Sequence, residues 1–90
     1  MTAFFPAEKY RFFVDPAGRD PEHAFGGWHL AGKALFVTLR GTWEMQTSDG
    51  AIARFGPGDF LLADETRGKG HRSRRVSDEE MVLLGVHLPD

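Results

Sequence analysis

Glycine and proline interrupt this chain at short intervals along its whole length. There are 11 glycines and 5 prolines among 90 residues, and apolar runs lie between them. Short apolar runs bounded by turn-forming residues are typical of strands joined by tight turns. The sequence therefore predicts an all-β chain.

The apolar runs give the boundaries of the predicted strands, and no interval between them has room for a long helix. One alternative is a helix from Met81, because Ser77-Asp78-Glu79-Glu80 matches a capping box. Gly85 and the β-branched residues around it favour a strand there instead. Residues 15 to 27 are predicted to form a loop, and Trp28 is expected to be a core residue. The predicted strands are Tyr10 to Val14, Trp28 to Leu30, Ala34 to Leu39, Thr42 to Thr47, Ala51 to Phe55, Phe60 to Ala63, His71 to Val76 and Met81 to Leu88.

The clearest turn is Asp49-Gly50. Asp-Gly supplies the two positive-φ positions of a type I′ hairpin turn, so the strands on either side are predicted to pair antiparallel. Ser48 then faces Ala51, and Met45 lies opposite Arg54.

Composition narrows the class of protein. The chain has no cysteine, which excludes thiolate zinc sites, redox-active dithiols and cysteine nucleophiles and fits a reducing compartment. The N-terminus lacks a basic segment followed by a long apolar one, so no secretory signal is expected. The longest apolar stretches fall far short of the roughly 20 residues that span a bilayer. We expect a cytoplasmic protein with no membrane contact.

From Trp28 to Arg75 the motifs follow a characteristic order. An apolar strand leads to Leu39-Arg40-Gly41, then a strand, Asp49-Gly50, a strand, Phe55-Gly56-Pro57-Gly58-Asp59-Phe60, and finally Gly68-Lys69-Gly70-His71. This order, over about half of the chain, resembles a small single-domain cupin of the RmlC-like superfamily. The resemblance implies a short antiparallel β-barrel of jelly-roll type, open at one end over a pocket and commonly dimeric. We expect one domain over residues 1–90, with residues 1–14 as an N-terminal strand segment and 28–88 as the barrel core.

Metal-binding cupins, which this chain resembles, hold one divalent metal with three histidines and a glutamate. Counting back from Gly41, the glutamate position falls on Ala34 and the first histidine position on Gly27. The second histidine position is His29, and His71 closes the second motif. His29 and His71 are therefore the candidate metal ligands.

Two imidazoles bind a divalent metal weakly unless a third ligand joins them. Asp64, Glu65 or His23 could supply it if the loops fold over the barrel mouth. The favoured interpretation is that His29 and His71 are hydrogen-bonded pocket residues that contact a ligand.

Residues 67 to 75 hold five of the eleven basic residues. If His71 faces the barrel, period-two alternation turns Arg75 inward as well, where its guanidinium would suit an anionic ligand. Nucleic acid is not an expected partner, because exposed aromatic residues do not interleave with the basic ones and the net charge is -2.

The N-terminal segment is rich in aromatic residues. Phe4-Phe5-Pro6 and Tyr10-Arg11-Phe12-Phe13-Val14 place five aromatic residues within the eleven positions from 4 to 14. These side chains either cover the barrel's own core or pack on a second subunit. We expect this segment to pair with a neighbouring sheet, and we expect a homodimer because the barrel is small.

Three functional hypotheses stand on the sequence. The first is a cupin-like binding protein whose pocket holds a small polar or anionic molecule, with His29, His71 and Arg75 as polar contacts. The alternative is a metal-dependent enzyme of oxygenase or isomerase type that uses the two histidines and a nearby carboxylate. The third is a structural or regulatory module without a pocket ligand. The identity of the ligand, and whether a reaction is catalysed, are left open.

Overall fold

The computed structural model describes residues 3–15 and 25–89, and over these ranges the chain forms strands and no helix. The all-β prediction is confirmed. Most of the predicted loop over residues 15 to 27, including His23, lies outside the described residues. The strands are β1 Lys9–Asp15, β2 Gly32–Arg40, β3 Trp43–Thr47, β4 Ile52–Phe55, β5 Phe60–Glu65, β6 His71–Arg75 and β7 Met81–His87.

The predicted strands agree with these bounds to within two residues, with one exception. Trp28 to Leu30 is not a strand, since it makes only an isolated bridge between His29 and His71. The segment that follows the acidic Ser77–Glu80 stretch is the strand β7, so the helical alternative is wrong.

The strands form two antiparallel sheets. The four-stranded sheet has the order β1-β7-β2-β5, and the three-stranded sheet has the order β4-β3-β6. Their inner faces share a core in which Trp43 and Met45 of β3 pack with Leu83 of β7. A buried hydrogen bond also joins the sheets, because Trp43 Nε1 donates to Thr38 Oγ1 at 2.8 Å. This hydrogen bond pairs two buried polar groups, one from each sheet, and so helps to fix how the sheets face each other.

The hairpin between β3 and β4 differs from the predicted one by a residue. The loop is Ser48 to Gly50, closed by Thr47, whose N–H donates to the carbonyl of Ala51 at 3.0 Å. Three-residue loops of this kind use a glycine in the left-handed region at their last position, and here that glycine has a φ of 92°. The predicted pairing of Ser48 with Ala51 is therefore wrong. In the actual register Glu44 lies opposite Arg54.

Inward-facing side chains alternate along each strand of the four-stranded sheet. Ala34 and Phe36 of β2 are buried and pack with Ala63 of β5. Gly85 of β7 lies beneath two rings, and a Cβ there would come within 2.9 Å of Phe13 and 3.2 Å of Phe36. The missing side chain thus makes room for the rings that wall the interior.

Candidate functional site

A cavity of about 330 Å³ lies between the two sheets. Its wall is mostly apolar, with the rings of Phe13, Phe36 and Trp43 and the side chains of Met81 and Leu83. Its polar lining residues come from four parts of the chain. They are Arg11 of β1, His29 before β2, His71 and Ser73 of β6, and His87 of β7.

His71 is the most firmly held polar group of the cavity. It is 4% exposed, and its Nδ1 donates to Glu65 Oε1 at 2.6 Å. The same carboxylate oxygen accepts the N–H of Ala31 at 3.1 Å. Glu65 therefore fixes the ring orientation of His71 and ties β5 to the segment that leads into β2.

His29 reaches the cavity through a backbone bridge to His71. Each residue's N–H donates to the other's carbonyl at 2.9 Å. The bridge needs a glycine at position 70, where φ is +74° and a Cβ would lie 1.9 Å from the carbonyl oxygen of His29. The two imidazole rings then meet edge to face with their centroids 4.4 Å apart.

The two histidines have the same hydrogen-bond arrangement. Nδ1 of His71 faces the Glu65 carboxylate, and Nδ1 of His29 lies 3.2 Å from the carbonyl oxygen of Gly27. Because both partners are acceptors, Nδ1 carries the proton in each ring, and a neutral ring keeps its lone pair on Nε2. Each imidazole can therefore accept a proton or bind a cation through Nε2.

The other candidate residues from the sequence lie elsewhere. Asp64 is exposed on the outer face of β5, whereas its neighbour Glu65 turns inward. Arg75 faces inward with His71, as the alternation predicts, but its Nε donates to Asp15 at 3.0 Å and Nη1 donates to the carbonyl of Ser77. The structure brings His29, His71 and Glu65 together and keeps Arg75 in an ion pair outside the cavity lining.

Arg11 and His87 are cavity residues that the sequence interpretation missed. Arg11 has its guanidinium 4.3 Å above the ring of Phe13. Within residues 3–15 and 25–89 no carboxylate pairs with it. The available signal was alternation along β1, which places Arg11 on the same face as the partly buried ring of Phe13.

The basic run on β6 has its own partners on the outer face of the three-stranded sheet. Arg74 donates to Glu44 at 2.6 Å, and Arg54 binds the same carboxylate at 3.0 Å. The hydrogen bond from Arg74, followed by that from Arg54, lowers the pKa of Glu44. Arg72 lies 4.8 Å from the ring centroid of Trp28. Trp28 is therefore a partly exposed residue on this face, so its predicted place in the core is wrong.

The structure also bears on whether a third side chain could join His29 and His71 as a metal ligand. Over residues 3–15 and 25–89, no cluster of three or more His, Cys, Asp or Glu side chains could hold a metal ion. No helix in the described part of the chain is long and apolar enough to span a membrane.

Solved structures identify the fold. No family model matches the sequence, and a search of curated proteins finds no match. A cupin domain from Bordetella pertussis Tohama I superimposes with a TM-score of 0.61 at 18% identity, covering 90% of this chain and 80% of that chain. Protein NMB1881 from Neisseria meningitidis has a TM-score of 0.62 at 12% identity, covering 99% of this chain and 88% of that chain.

A third similar structure is Fe(II)-HppE with the alternative substrate (S)-1-HPP. It has a TM-score of 0.56 at 14% identity and covers 88% of this chain and 41% of that chain. At these identities the similarity establishes the fold and carries no activity with it. The chain has the cupin fold, as the order of motifs in the sequence predicts.

Proposed function

We propose that this cupin-fold chain binds a small organic anion with an apolar body in its interior cavity. The observation that carries the proposal is the lining, in which apolar walls face Arg11, an arginine with no carboxylate partner among the described residues. The cavity volume of about 330 Å³ lies at the lower end of the roughly 300–1,000 Å³ that ligand pockets occupy.

In this proposal, different lining residues contact different parts of the ligand. A guanidinium matches the geometry of a carboxylate and binds it through two parallel hydrogen bonds. Arg11 is therefore the anion contact in this proposal, in place of Arg75, which already holds Asp15. His29 and His71 contact the polar part of the ligand through Nε2, and the ring of Trp43 forms part of the apolar wall.

Benzoate and its neutral counterpart benzamide test this proposal. We expect benzoate to raise the melting temperature and to bind more tightly than benzamide by calorimetry. Arg11→Gln should weaken benzoate binding by about tenfold or more, because a charge-assisted hydrogen bond contributes ~1.5–3 kcal/mol, and should leave benzamide unchanged. Arg40→Gln is the matched control, because Arg40 is an exposed arginine outside the cavity lining. Equal binding of the two probes, or an Arg11→Gln variant that binds benzoate normally, would contradict the proposal.

A second candidate function is metal-assisted chemistry on the two histidines. It is favoured by the Nδ1 contacts of His29 and His71, since hydrogen bonds to the far nitrogen are typical of metal-ligating histidines. Glu65 then orients His71 and is not a ligand. A divalent metal bound there would polarise a ligand oxygen, and two imidazoles alone would hold it weakly.

Elemental analysis distinguishes the two functions. The protein is incubated with Fe(II), Mn(II), Ni(II) or Zn(II) and compared with a His29→Ala, His71→Ala double variant. Near-stoichiometric metal that is lost in the double variant would favour the second function over the first and direct the search to metal-assisted chemistry. Metal in neither protein would leave the cavity as a site for organic ligands.

The broader setting of the protein is part of the same proposal. We propose a single-domain protein of the cytoplasm that does not engage nucleic acid. In support, the chain lacks cysteine, and the guanidinium groups of Arg72 and Arg74 already contact aromatic rings and Glu44. Cell fractionation and a filter-binding assay with single-stranded RNA would check these two points.

A further inference from the structure

Positive charge is concentrated on the outer face of the three-stranded sheet. The strands of this sheet contribute a single carboxylate, Glu44, which is shared by Arg54 and Arg74. Two further cations on this side, Lys69 and Arg72, have no carboxylate partner in the described part of the chain. The face is therefore positive although the net charge of the chain is -2. We call it the cationic face, and its residues are Arg54, Lys69, Arg72 and Arg74 together with the rings of Phe25 and Trp28.

The two aromatic rings lie among the cations of this face. The guanidinium carbon of Arg72 is 4.8 Å from the ring centroid of Trp28 and 5.0 Å from that of Phe25. The guanidinium carbon of Arg74 is 4.3 Å from the same phenylalanine centroid. On the other side of Arg72, the ammonium group of Lys69 is 5.9 Å from the tryptophan centroid. Cations and rings thus alternate across the outer side of β6.

These contacts hold Arg72 in place before any partner binds. Its Nε donates to Gln46 Oε1 at 2.7 Å, and its Nη groups make no hydrogen bond to the described residues. A guanidinium that packs on aromatic rings keeps its N–H donors in its own plane, so these Nη groups remain free to bind an acceptor. A side chain that is already ordered loses less entropy on binding. Arg72 is therefore a preorganised anion contact.

An extended acidic peptide has the spacing that the cationic face requires. Arg72 and Arg74 lie two residues apart on β6, and side chains on one side of a strand repeat every ~6.6 Å. An extended peptide with an acidic residue at every second position has the same repeat, with its carboxylates on one side. Guanidinium and ammonium groups bind carboxylates through charge-assisted hydrogen bonds. Such a peptide can therefore lie along β6 with its carboxylates facing the cations.

Two features favour an acidic protein segment over a nucleic acid. Single-stranded nucleic acids stack their bases on open aromatic rings, whereas cations already contact the rings of Phe25 and Trp28. A nucleic acid also gains its affinity from many phosphate contacts. On this face only Lys69 and Arg72 are without a carboxylate partner among the described residues. A short acidic segment needs no more contacts than these two.

We propose that the cationic face binds an extended segment of another protein in which glutamate or aspartate occupies alternate positions. Arg72 and Lys69 contact its carboxylates, and the 37% exposed side chain of Trp28 packs against the bound segment. None of these three residues lines the interior cavity. The site is therefore separate from the site of the small organic anion, and the two are tested independently.

Calorimetry at low ionic strength with two short synthetic peptides tests the proposal. One peptide alternates glutamate with serine, and the other has glutamine in place of every glutamate. We expect only the glutamate peptide to bind and to change the tryptophan fluorescence. Arg72→Gln should weaken binding by about tenfold, because it removes a preorganised charge-assisted contact. Lys69→Gln should weaken it by about threefold, because the ammonium group is exposed. The matched controls are Arg40→Gln and Lys33→Gln, at exposed residues of β2 on the other sheet.

Circular dichroism shows whether each variant is folded, and Lys69→Gln keeps the test decisive if Arg72→Gln unfolds. Equal binding of the two peptides, or no binding of the glutamate peptide at millimolar concentration, would overturn the proposal. Controls that weaken binding as much as Arg72→Gln would overturn it too. Tighter binding of a single-stranded RNA oligonucleotide would assign the face to nucleic acid instead. Benzoate binding should be unchanged in Arg72→Gln, so the cavity proposal stands or fails separately.

Discussion

Glu44 is a buried carboxylate that two arginines hold on the outer face of the three-stranded sheet. The Arg74 hydrogen bond, with that of Arg54 next, lowers the pKa of Glu44 below its usual 4.5. A carboxyl group with a lower pKa in the folded chain adds stability above its unfolded pKa and loses it as the pH falls through the folded pKa. We predict that the protein loses stability as the pH falls below 4.5, and that Glu44→Gln removes this part of the loss.

Urea unfolding near neutral pH and well below pH 4.5 measures the effect. Near neutral pH, Glu44→Gln should lower the free energy of unfolding by about 1 kcal/mol, because both arginines are partly exposed. At the lower pH the variant and the wild type should converge. Glu79→Gln, at an exposed acidic residue, is the control. If Glu44→Gln lowers the free energy of unfolding by the same amount at both pH values, the ion pairs of Glu44 do not contribute to stability.

Residue patterns in the sequence predict the direction of a side chain but not its depth. Alternation from His71 correctly turns Arg75 inward, yet the structure pairs Arg75 with Asp15 of β1. This contact depends on how the chain ends fold together. Arg11 and His87 enter the cavity through the pairing of β1 with β7, which joins opposite ends of the sequence. Alternation along β1 indicates on which face Arg11 lies, but no local sequence pattern shows that β1 pairs with β7.

At the scale of elements, the segment that carries His29 depends on its bridge to β6. Gly70 permits the bridge, because a Cβ at this position would lie 1.9 Å from the His29 carbonyl oxygen. Gly68 has nearly the same φ, +75° against +74°, but no atom lies within 4 Å of its Cβ position. Alanine at either position costs about 1–2 kcal/mol for the left-handed backbone, and only Gly70→Ala adds a backbone clash.

We therefore predict that Gly70→Ala destabilises the protein by about 2 kcal/mol more than Gly68→Ala. It should also displace His29 from the cavity, so benzoate binding should weaken in Gly70→Ala and persist in Gly68→Ala. Thermal unfolding and calorimetry on both variants measure these effects. Equal losses of stability would show that the bridge between His29 and His71 does not hold the segment in place.

Strand boundaries were predictable because glycine, proline and aspartate mark the turns. Strand register was not, as the β3–β4 hairpin shows. A two-residue and a three-residue loop both accommodate Asp49-Gly50, and the choice between them turns every side chain of one strand to the other face. The hairpin has the three-residue loop, which places Glu44 opposite Arg54. This pairing of opposite charges stabilises the observed register and is absent from the other one.

At the scale of the whole molecule, the two sheets have different surroundings. The inner faces enclose the cavity, and the outer face of the three-stranded sheet presents ion pairs to solvent. The outer face of the four-stranded sheet presents apolar side chains, which include the exposed rings of Phe12 on β1 and Phe60 on β5. From the sequence, a dimer is expected because the barrel is small, the N-terminal segment is aromatic and the cupins that the chain resembles are commonly dimeric. Only the sheet order, which places β1 beside β7 and β2 beside β5, shows that the apolar residues of separate segments form one continuous surface.

If a second copy covers that surface, stability depends on protein concentration. Unfolding of a dimer produces two chains, so each tenfold rise in concentration should raise the melting temperature by about 3–5 °C for a chain of this length. We predict this dependence for the wild type and for the control Ile52→Glu, which changes an exposed residue of the three-stranded sheet. We predict its loss in Phe12→Glu, because a carboxylate on the apolar outer face of the four-stranded sheet should keep a second copy from covering that face. Scanning calorimetry over a hundredfold concentration range measures it. A wild-type melting temperature that stays constant over this range would show that the apolar outer face of the four-stranded sheet adds no stability through self-association.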